Sequence, residues 1–138
     1  MLGDRLGAAY GLDNKPGTAE AAPWPFAGDD LVGLFGELSG ASFGGGLYRV
    51  HDPGAARTWT QRVEEYFTEH KGRVICFGAD RLGRQVALDR ARVEDGHHQT
   101  LMLEPGTGEA LEIPATLASF HLEELVDFRR RSARRLLL

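Results

Sequence analysis

The residues of this chain whose types could carry chemistry are one cysteine, five histidines and a scattered set of carboxylates. Cys76 lies in an apolar run between Ile75 and Phe77, which predicts a buried, unreactive thiol. His97 and His98 are adjacent, but no third ligand stands at a recognisable spacing, so we expect no metal and no other cofactor. No nucleophile stands beside a base at an active-site spacing, which predicts a protein that is not an enzyme.

Two glycine-rich stretches, ASFGGGLYRV and EPGTGEALEIP, raise the question of phosphate binding. A phosphate loop needs a helix directly after its glycines, because the first amides of that helix hold the anion. An apolar, strand-like run follows each stretch instead, and neither contains Gly-Lys-Ser/Thr. The glycines are therefore predicted to turn the chain between strands, and Glu104, Glu109 and Glu112 would repel a phosphate.

The charge of the chain is unevenly distributed. Residues 1–127 contain 20 acids against 11 basic residues, a net charge of −9, whereas residues 128–138 contain five arginines and no acid. An acidic body favours basic partners and disfavours nucleic acid and membrane surfaces. For the basic tail, arginines at the end of a predicted helix are the simpler interpretation, and contact with nucleic acid is the alternative.

The length of 138 residues suits one domain with one core. Glycine occurs 18 times, about twice its average frequency of ~7%, which indicates many tight turns. A single cysteine excludes an internal disulfide and fits a reducing compartment. The sequence contains no membrane-spanning run and no signal peptide, so a cytoplasmic protein is expected.

The elements that must position these residues are predicted from periodicity and turn signals. RVICFGAD, RQVALDR, QTLMLEP and ALEIP are four short strands separated by tight turns, and Leu47–Val50 is a candidate for a fifth. Asp95 and Gly96 form a strong type I′ hairpin signal, since both turn centres need a positive φ. The predicted fold class is α+β, an antiparallel β-meander of four to five strands packed against two or three helices.

The clearest helix signal covers residues 52–72. Asp52 is a good N-cap, Pro53 suits the first helical position, and Gly72 suits the end. Its apolar stripe is predicted to pack on the sheet as core and consists of Ala56, Trp59, Val63, Tyr66 and Phe67.

Residues 1–30 are predicted to form an extended N-terminal arm, because residues 11–30 contain three prolines and little periodicity. Residues 31–138 are predicted to form a single α+β domain. Within it we expect a short helix capped by Asp29 or Asp30 and a last helix capped by Ser119.

The candidates for partner contact are charged side chains near the predicted turns and on the helix surface. Around the turn of Asp80, Arg81 and Arg84, a solvated ion pair is the simpler interpretation and a recognition patch is the alternative. The complete set of partner-binding candidates is Glu64, Glu65, Asp80, Arg81, Arg84, Glu104, Glu109 and Glu112.

Five stretches, in order, resemble a known family: GGGLYRV (44–50), the helix that contains Trp59, RVICFGADRLGRQVALD (73–89), LMLEPGTGEALEIP (101–114) and SFHLEELVDF (119–128). Together they are similar to the C-terminal domain of bacterial type VI secretion immunity proteins, which neutralise secreted DNase effectors and are grouped with the SUKH superfamily. The resemblance implies an α+β fold, no enzymatic activity, and a cognate toxin, expected to be a nuclease, as partner. It supplies no catalytic residue.

The residues by themselves leave two other function classes open. One is a small-molecule-sensing or regulatory module that uses the cleft between sheet and helix, and the other is an undetected enzyme. A deep pocket with convergent polar groups would favour the sensing module.

Overall fold

The computed structural model describes residues 2–17 and 24–125. It confirms the α+β class: the described residues form a six-stranded antiparallel sheet whose strands follow the order of the chain. The prediction of four to five strands missed β1, because a two-residue strand is too short to show a pattern. The strands are β1 (Ser42–Phe43), β2 (Tyr48–Val50), β3 (Val74–Asp80), β4 (Gln85–Glu94), β5 (His97–Glu104) and β6 (Glu109–Thr116).

The helices in these two ranges are α1 (Leu2–Tyr10), α2 (Gly28–Leu38), α3 (Pro53–Tyr66) and the short α4 (Leu117–Ser119). A 3-10 turn over Thr68–His70 follows α3, and a π-helical turn over Phe120–Glu124 continues α4. No helix in the described part of the chain has both the length and the apolar character needed to cross a membrane.

The prediction of an extended arm over residues 1–30 is wrong for its first part, which is helix α1. The prolines that disfavour a helix begin only at Pro16, and Leu6 anchors α1 by complete burial in the main core. Residues 11–17 contain no helix, and isolated bridges join Leu12 to Phe43 of β1 and Gly17 to Ser39. The N-terminal segment is therefore packed into the same core as the rest of the domain.

Helix α3 begins as its sequence predicts. Asp52 is the N-cap, its carboxylate accepts a hydrogen bond from the backbone N–H of Ala55 at 2.7 Å, and Pro53 occupies the first position. The helix ends at Tyr66 rather than near Gly72, because the 3-10 turn intervenes. Gly72 lies two residues beyond the 3-10 turn and has a left-handed backbone, with a φ of 73°.

The apolar stripe of α3 is core only in part. Ala56, Val63 and Phe67 are buried against the sheet, as predicted. Trp59 is half-buried, and Tyr66 is 63% exposed although its ring contacts that of Phe67, with centroids 5.4 Å apart.

Two predicted helix caps are wrong. Helix α2 follows Ala27, which has a left-handed conformation and gives no side-chain cap, so Asp29 and Asp30 lie in the first turn, where they suit the helix dipole. Thr116 rather than Ser119 caps α4, and the two form a reciprocal capping box. The arginines of residues 128–138 lie outside the described residues.

The sheet has two buried faces. On the face that we call the groove face, Val86 lies opposite Met102, and both pack toward α1, α2 and the π-helical turn. On the face that we call the α3 face, Ala87 lies opposite Leu101, and both pack with Cys76 beneath α3.

A buried ion-pair cluster, centred on Asp89 of β4, lies on the α3 face. The Asp89 side chain is inaccessible to solvent and accepts two hydrogen bonds from the Arg73 guanidinium, at 2.7 and 2.9 Å. It also accepts from the Ala91 N–H at 3.0 Å, and Arg92 lies 3.5 Å away. Burial raises the pKa of Asp89, but these bonds and positive charges outweigh burial and hold it below its usual value.

Candidate functional site

A groove of about 500 Å³ opens on the groove face of the sheet. Its lining is mostly apolar and comes from separate segments: Tyr10 of α1, Tyr48 of β2, Val86 of β4, Met102 of β5 and Phe120 of the π-helical turn. An apolar concavity of this size is in the range of ligand and anchor-residue sites. The charged residues of the lining are Asp80, Arg81, Arg84 and Glu124.

One wall of the groove is fixed by a buried hydrogen bond between Tyr48 and His121. His121 Nδ1 lies 2.7 Å from the Leu117 carbonyl, which only accepts, so Nδ1 carries a proton. His121 Nε2 therefore accepts from the Tyr48 hydroxyl at 2.6 Å. Burial lowers the pKa of His121 to about 4 and raises the pKa of Tyr48 well above its usual value. Both groups are thus neutral near pH ~7, and their bond holds the Tyr48 ring in place.

The position of the Tyr48 ring requires the glycine below it. A Cβ at Gly78 would lie 2.7 Å from the Tyr48 hydroxyl and 2.9 Å from the Arg49 carbonyl oxygen, both too close. Gly78 lies beside an irregularity in the pairing of β3 with β4. The close approach of ring and strand therefore depends on this one residue.

The charged turn between β3 and β4 is an organised structure. Asp80 accepts two backbone N–H groups of the turn, at 3.0 and 2.9 Å, and the Arg84 guanidinium at 2.5 Å. Arg81 donates to the carbonyls of Gly44 and Gly45, at 3.4 and 3.3 Å. Both arginines of the groove lining are thus already committed to partners within the chain.

Two acids face each other beside the groove. Glu104 lies directly opposite Glu109 in the β5–β6 pairing, two residues beyond the opposed pair Met102 and Leu111. Because side chains alternate along a strand, all four lie on the groove face. Among residues 2–17 and 24–125, no cation forms a salt bridge with Glu104 or Glu109.

The structure divides the eight predicted contact residues into two groups. Five of them, Asp80, Arg81, Arg84, Glu104 and Glu109, lie at one end of the groove face. The other three lie elsewhere. On α3, Glu64 accepts a hydrogen bond from the Gly72 N–H at 2.7 Å, and Glu65 is exposed. Glu112 lies on the α3 face, opposite Leu101, and forms a salt bridge with Arg92 at 3.3 Å. A single partner surface can therefore contact the first group without the second.

The triple-glycine loop, residues 44–46, holds a carboxylate of its own chain. The N–H groups of Gly45 and Gly46 donate to Asp13 at 2.8 and 2.9 Å, and the Ser42 hydroxyl donates at 2.7 Å. Ser42 first, then the two amides, hold the pKa of Asp13 below its usual value. The sequence offered no signal for this contact, because Asp13 stands about thirty positions before the loop.

A second, polar cleft of about 250 Å³ lies between the sheet and α3. His51 Nε2 donates to the Gln85 side-chain oxygen at 2.8 Å, and the rings of Trp59 and His51 lie nearly parallel, 6.4 Å between centroids. The other polar side chains of the lining are Arg49, Asp52, Asp80 and Arg81, so the charged β3–β4 turn borders both concavities. Burial lowers the pKa of His51, which makes it a neutral donor and acceptor. Sequence reasoning did not identify this convergence.

The adjacent histidines do not share a site. His97 lies 3.4 Å from Asp30, whereas the ring of His98 packs against Phe26 at 5.1 Å. Within the described ranges, no group of three or more His, Cys, Asp or Glu side chains is placed to hold a metal ion.

Cys76 is buried, as predicted, and burial raises its pKa to about 12. We expect the native protein not to release thionitrobenzoate from Ellman's reagent at about pH 8, because only a thiolate attacks the reagent. The same protein in denaturant should release one equivalent, followed by absorbance. Rapid release from the native protein would contradict the buried assignment.

No protein-family model, no curated protein and no solved structure matches this chain. The resemblance to type VI immunity proteins accordingly stays a prediction that depends on the quoted motifs.

Proposed function

We propose that this chain is an immunity protein, an antitoxin that binds a cognate secreted bacterial toxin in the cytoplasm and blocks it without catalysis. The toxin class named by this proposal is a nuclease, because nucleases present basic surfaces to their substrates. The observation that supports it best is the Glu104–Glu109 pair, which lies beside an apolar groove and forms no salt bridge with a cation of the described residues.

Two like charges directly opposite each other on a hairpin destabilise the sheet. A local arrangement that costs stability is expected mainly where function requires it. A basic partner would neutralise both carboxylates, and the excess of acids in residues 1–127 would steer that partner toward the protein. Such complementarity raises the association rate and specificity more than the final affinity.

The variant Glu109→Lys is expected to be more stable than the wild type and slower to bind the toxin. Lysine opposite Glu104 replaces a repulsion by an attraction, worth about 0.5 kcal/mol in the free energy of unfolding. The same change should lower the on-rate by roughly threefold or more, because it removes negative charge from the contact surface. Urea denaturation and stopped-flow association measure the two effects.

Glu94→Lys is the matched control, since Glu94 is exposed and lies at the other end of β5, opposite His97. This control should leave the on-rate nearly unchanged. Equal effects of the two variants would mean that only net charge, and not the acidic pair, contributes to binding.

Immunity itself is tested in cells. Co-expression of this chain with the toxin encoded beside it should rescue growth, and a wild-type chain that gives no protection would overturn the proposal.

The association rate should also fall as ionic strength rises through about 0.1 M, where screening becomes strong. Rescue with a salt-independent rate would retain immunity and remove the electrostatic mechanism.

The polar cleft favours a second candidate, a small-molecule-sensing module. His51 and Gln85 converge there beside the half-exposed ring of Trp59. Because the chain has two tryptophans, Trp24→Phe leaves Trp59 as the only indole. Quenching of its fluorescence by a member of a nucleoside and amino-acid panel would support sensing.

A further inference from the structure

We propose that the groove, together with Glu104 and Glu109, receives one segment of a protein partner in which a bulky apolar side chain is flanked by arginine or lysine. This inference rests on the proposed function, and it names the surface and the chemistry through which that function operates. Five of the predicted contact residues already lie at this end of the groove face.

The bulky apolar side chain of the partner segment is inferred from the apolar lining of the groove. Tyr48, Val86, Met102 and Phe120 surround about 500 Å³ that the described residues leave empty. Energetically dominant contacts between proteins are typically bulky side chains inserted into such desolvated pockets. Tyr48 is held by His121, so little ordering is required on binding, whereas the flexible Met102 can adapt to the inserted side chain.

The basic flanks of the partner segment are inferred from the acids near the groove that form no salt bridge. Arg84 is committed to Asp80, and Arg81 to backbone carbonyls, so neither is free to neutralise an acid of the partner. Glu104, Glu109 and Glu124 form no salt bridge within residues 2–17 and 24–125. The surface around the groove therefore carries excess negative charge, which attracts cationic flanks and repels nucleic acid.

The chain contains its own reporter for this site. It has two methionines, Met1 and Met102, and Met102 lines the groove. The full chain labelled with methyl-¹³C methionine is titrated with the capped peptide Arg-Arg-Leu-Phe-Arg-Arg. We expect a saturable shift of the Met102 methyl resonance.

Two altered peptides test the two halves separately. Glutamate in place of every arginine, or serine in place of both apolar residues, should each weaken the titration about tenfold or more. In the protein, Glu104→Lys with Glu109→Lys should weaken binding of the basic peptide similarly. The matched control, Glu65→Lys with Glu94→Lys, changes exposed acids away from the groove and should leave binding unchanged.

Other occupants give other results, and each would overturn the proposal. If the glutamate peptide shifts Met102 as strongly as the basic one, the groove recognises apolar groups alone, as a small-ligand site would. If Arg134→Glu with Arg135→Glu shifts Met102 before any peptide is added, the groove is occupied by residues 126–138 of the same chain. If no peptide shifts Met102, the groove is not a binding site.

Failure of this inference is distinguishable from failure of the proposed function. A chain that rescues cells while its groove ignores the basic peptide would be an immunity protein that uses another surface. A groove that binds the peptide in a chain that protects no cell would be a docking site without immunity.

Discussion

Replacement of Asp89 by alanine is expected to lower the free energy of unfolding by about 3 kcal/mol, because removal of one member of a buried ion pair leaves the other uncompensated. Arg73 and Arg92 would both lose their shared carboxylate, and the Ala91 N–H would lose its acceptor. The value lies at the lower end of the usual range because the Arg73 side chain keeps 32% exposure to water. Urea denaturation measures it.

Glu94→Ala is the control for this variant, since an exposed carboxylate without a described ion pair should change stability by less than about 0.5 kcal/mol. An Asp89→Ala variant as stable as this control would show that the ion-pair cluster contributes no net stability.

The same carboxylate makes stability depend on pH. The folded pKa of Asp89 lies below its unfolded value, so its charge stabilises the folded chain fully above about pH 4. That contribution is lost as pH falls through the folded pKa. The difference in unfolding free energy between wild type and Asp89→Asn should therefore be constant near neutral pH and shrink in acid. A difference that grows in acid would contradict the sign of the shift.

Replacement of Phe77 by alanine is expected to cost about 3–5 kcal/mol, the usual range for a large aromatic side chain in a core. Phe77 is fully buried, and its ring contacts those of Phe120 and His121, with centroids 5.7 and 5.4 Å away. The cavity would lie directly beneath the wall of the groove. Thermal or urea denaturation measures the loss.

Trp59→Ala is the comparison for Phe77→Ala. Because Trp59 is half-buried against His51 and Arg62, we expect a smaller loss, about 2 kcal/mol. An equal loss of unfolding free energy in the two variants would support the sequence-based prediction that Trp59 is a core residue.

The parts of the fold that local sequence predicts are those with local causes. Asp95 and Gly96 turn the β4–β5 hairpin with φ values of 50° and 79°, as a type I′ turn requires. The start of α3 at Asp52 and Pro53 was equally visible, because capping acts within one helical turn.

The parts that local sequence could not predict depend on partners far along the chain. Tyr48 and His121 are 73 positions apart, and nothing near either residue indicates the other. The groove could not be predicted for the same reason, since its lining residues come from segments that are far apart in the sequence and are brought together by the strand register. Of the contact residues, charge and turns identified Glu104 and Glu109, but only the pairing of β5 with β6 placed them opposite each other.

The two edges of the sheet carry different protection against pairing with another molecule. Along β1, the segment of residues 11–17 occupies the edge, bridging Phe43 and Ser39, and Asp13 fastens it to the triple-glycine loop. Along β6, no described strand pairs with the outer edge, where the charges of Glu109 and Glu112 and the missing N–H of Pro114 disfavour pairing with another molecule. Loss of the Asp13 fastening would leave both edges open. Pairing of β1 in one molecule with β6 in the next would be head-to-tail, and such pairing extends into filaments instead of closing into a dimer.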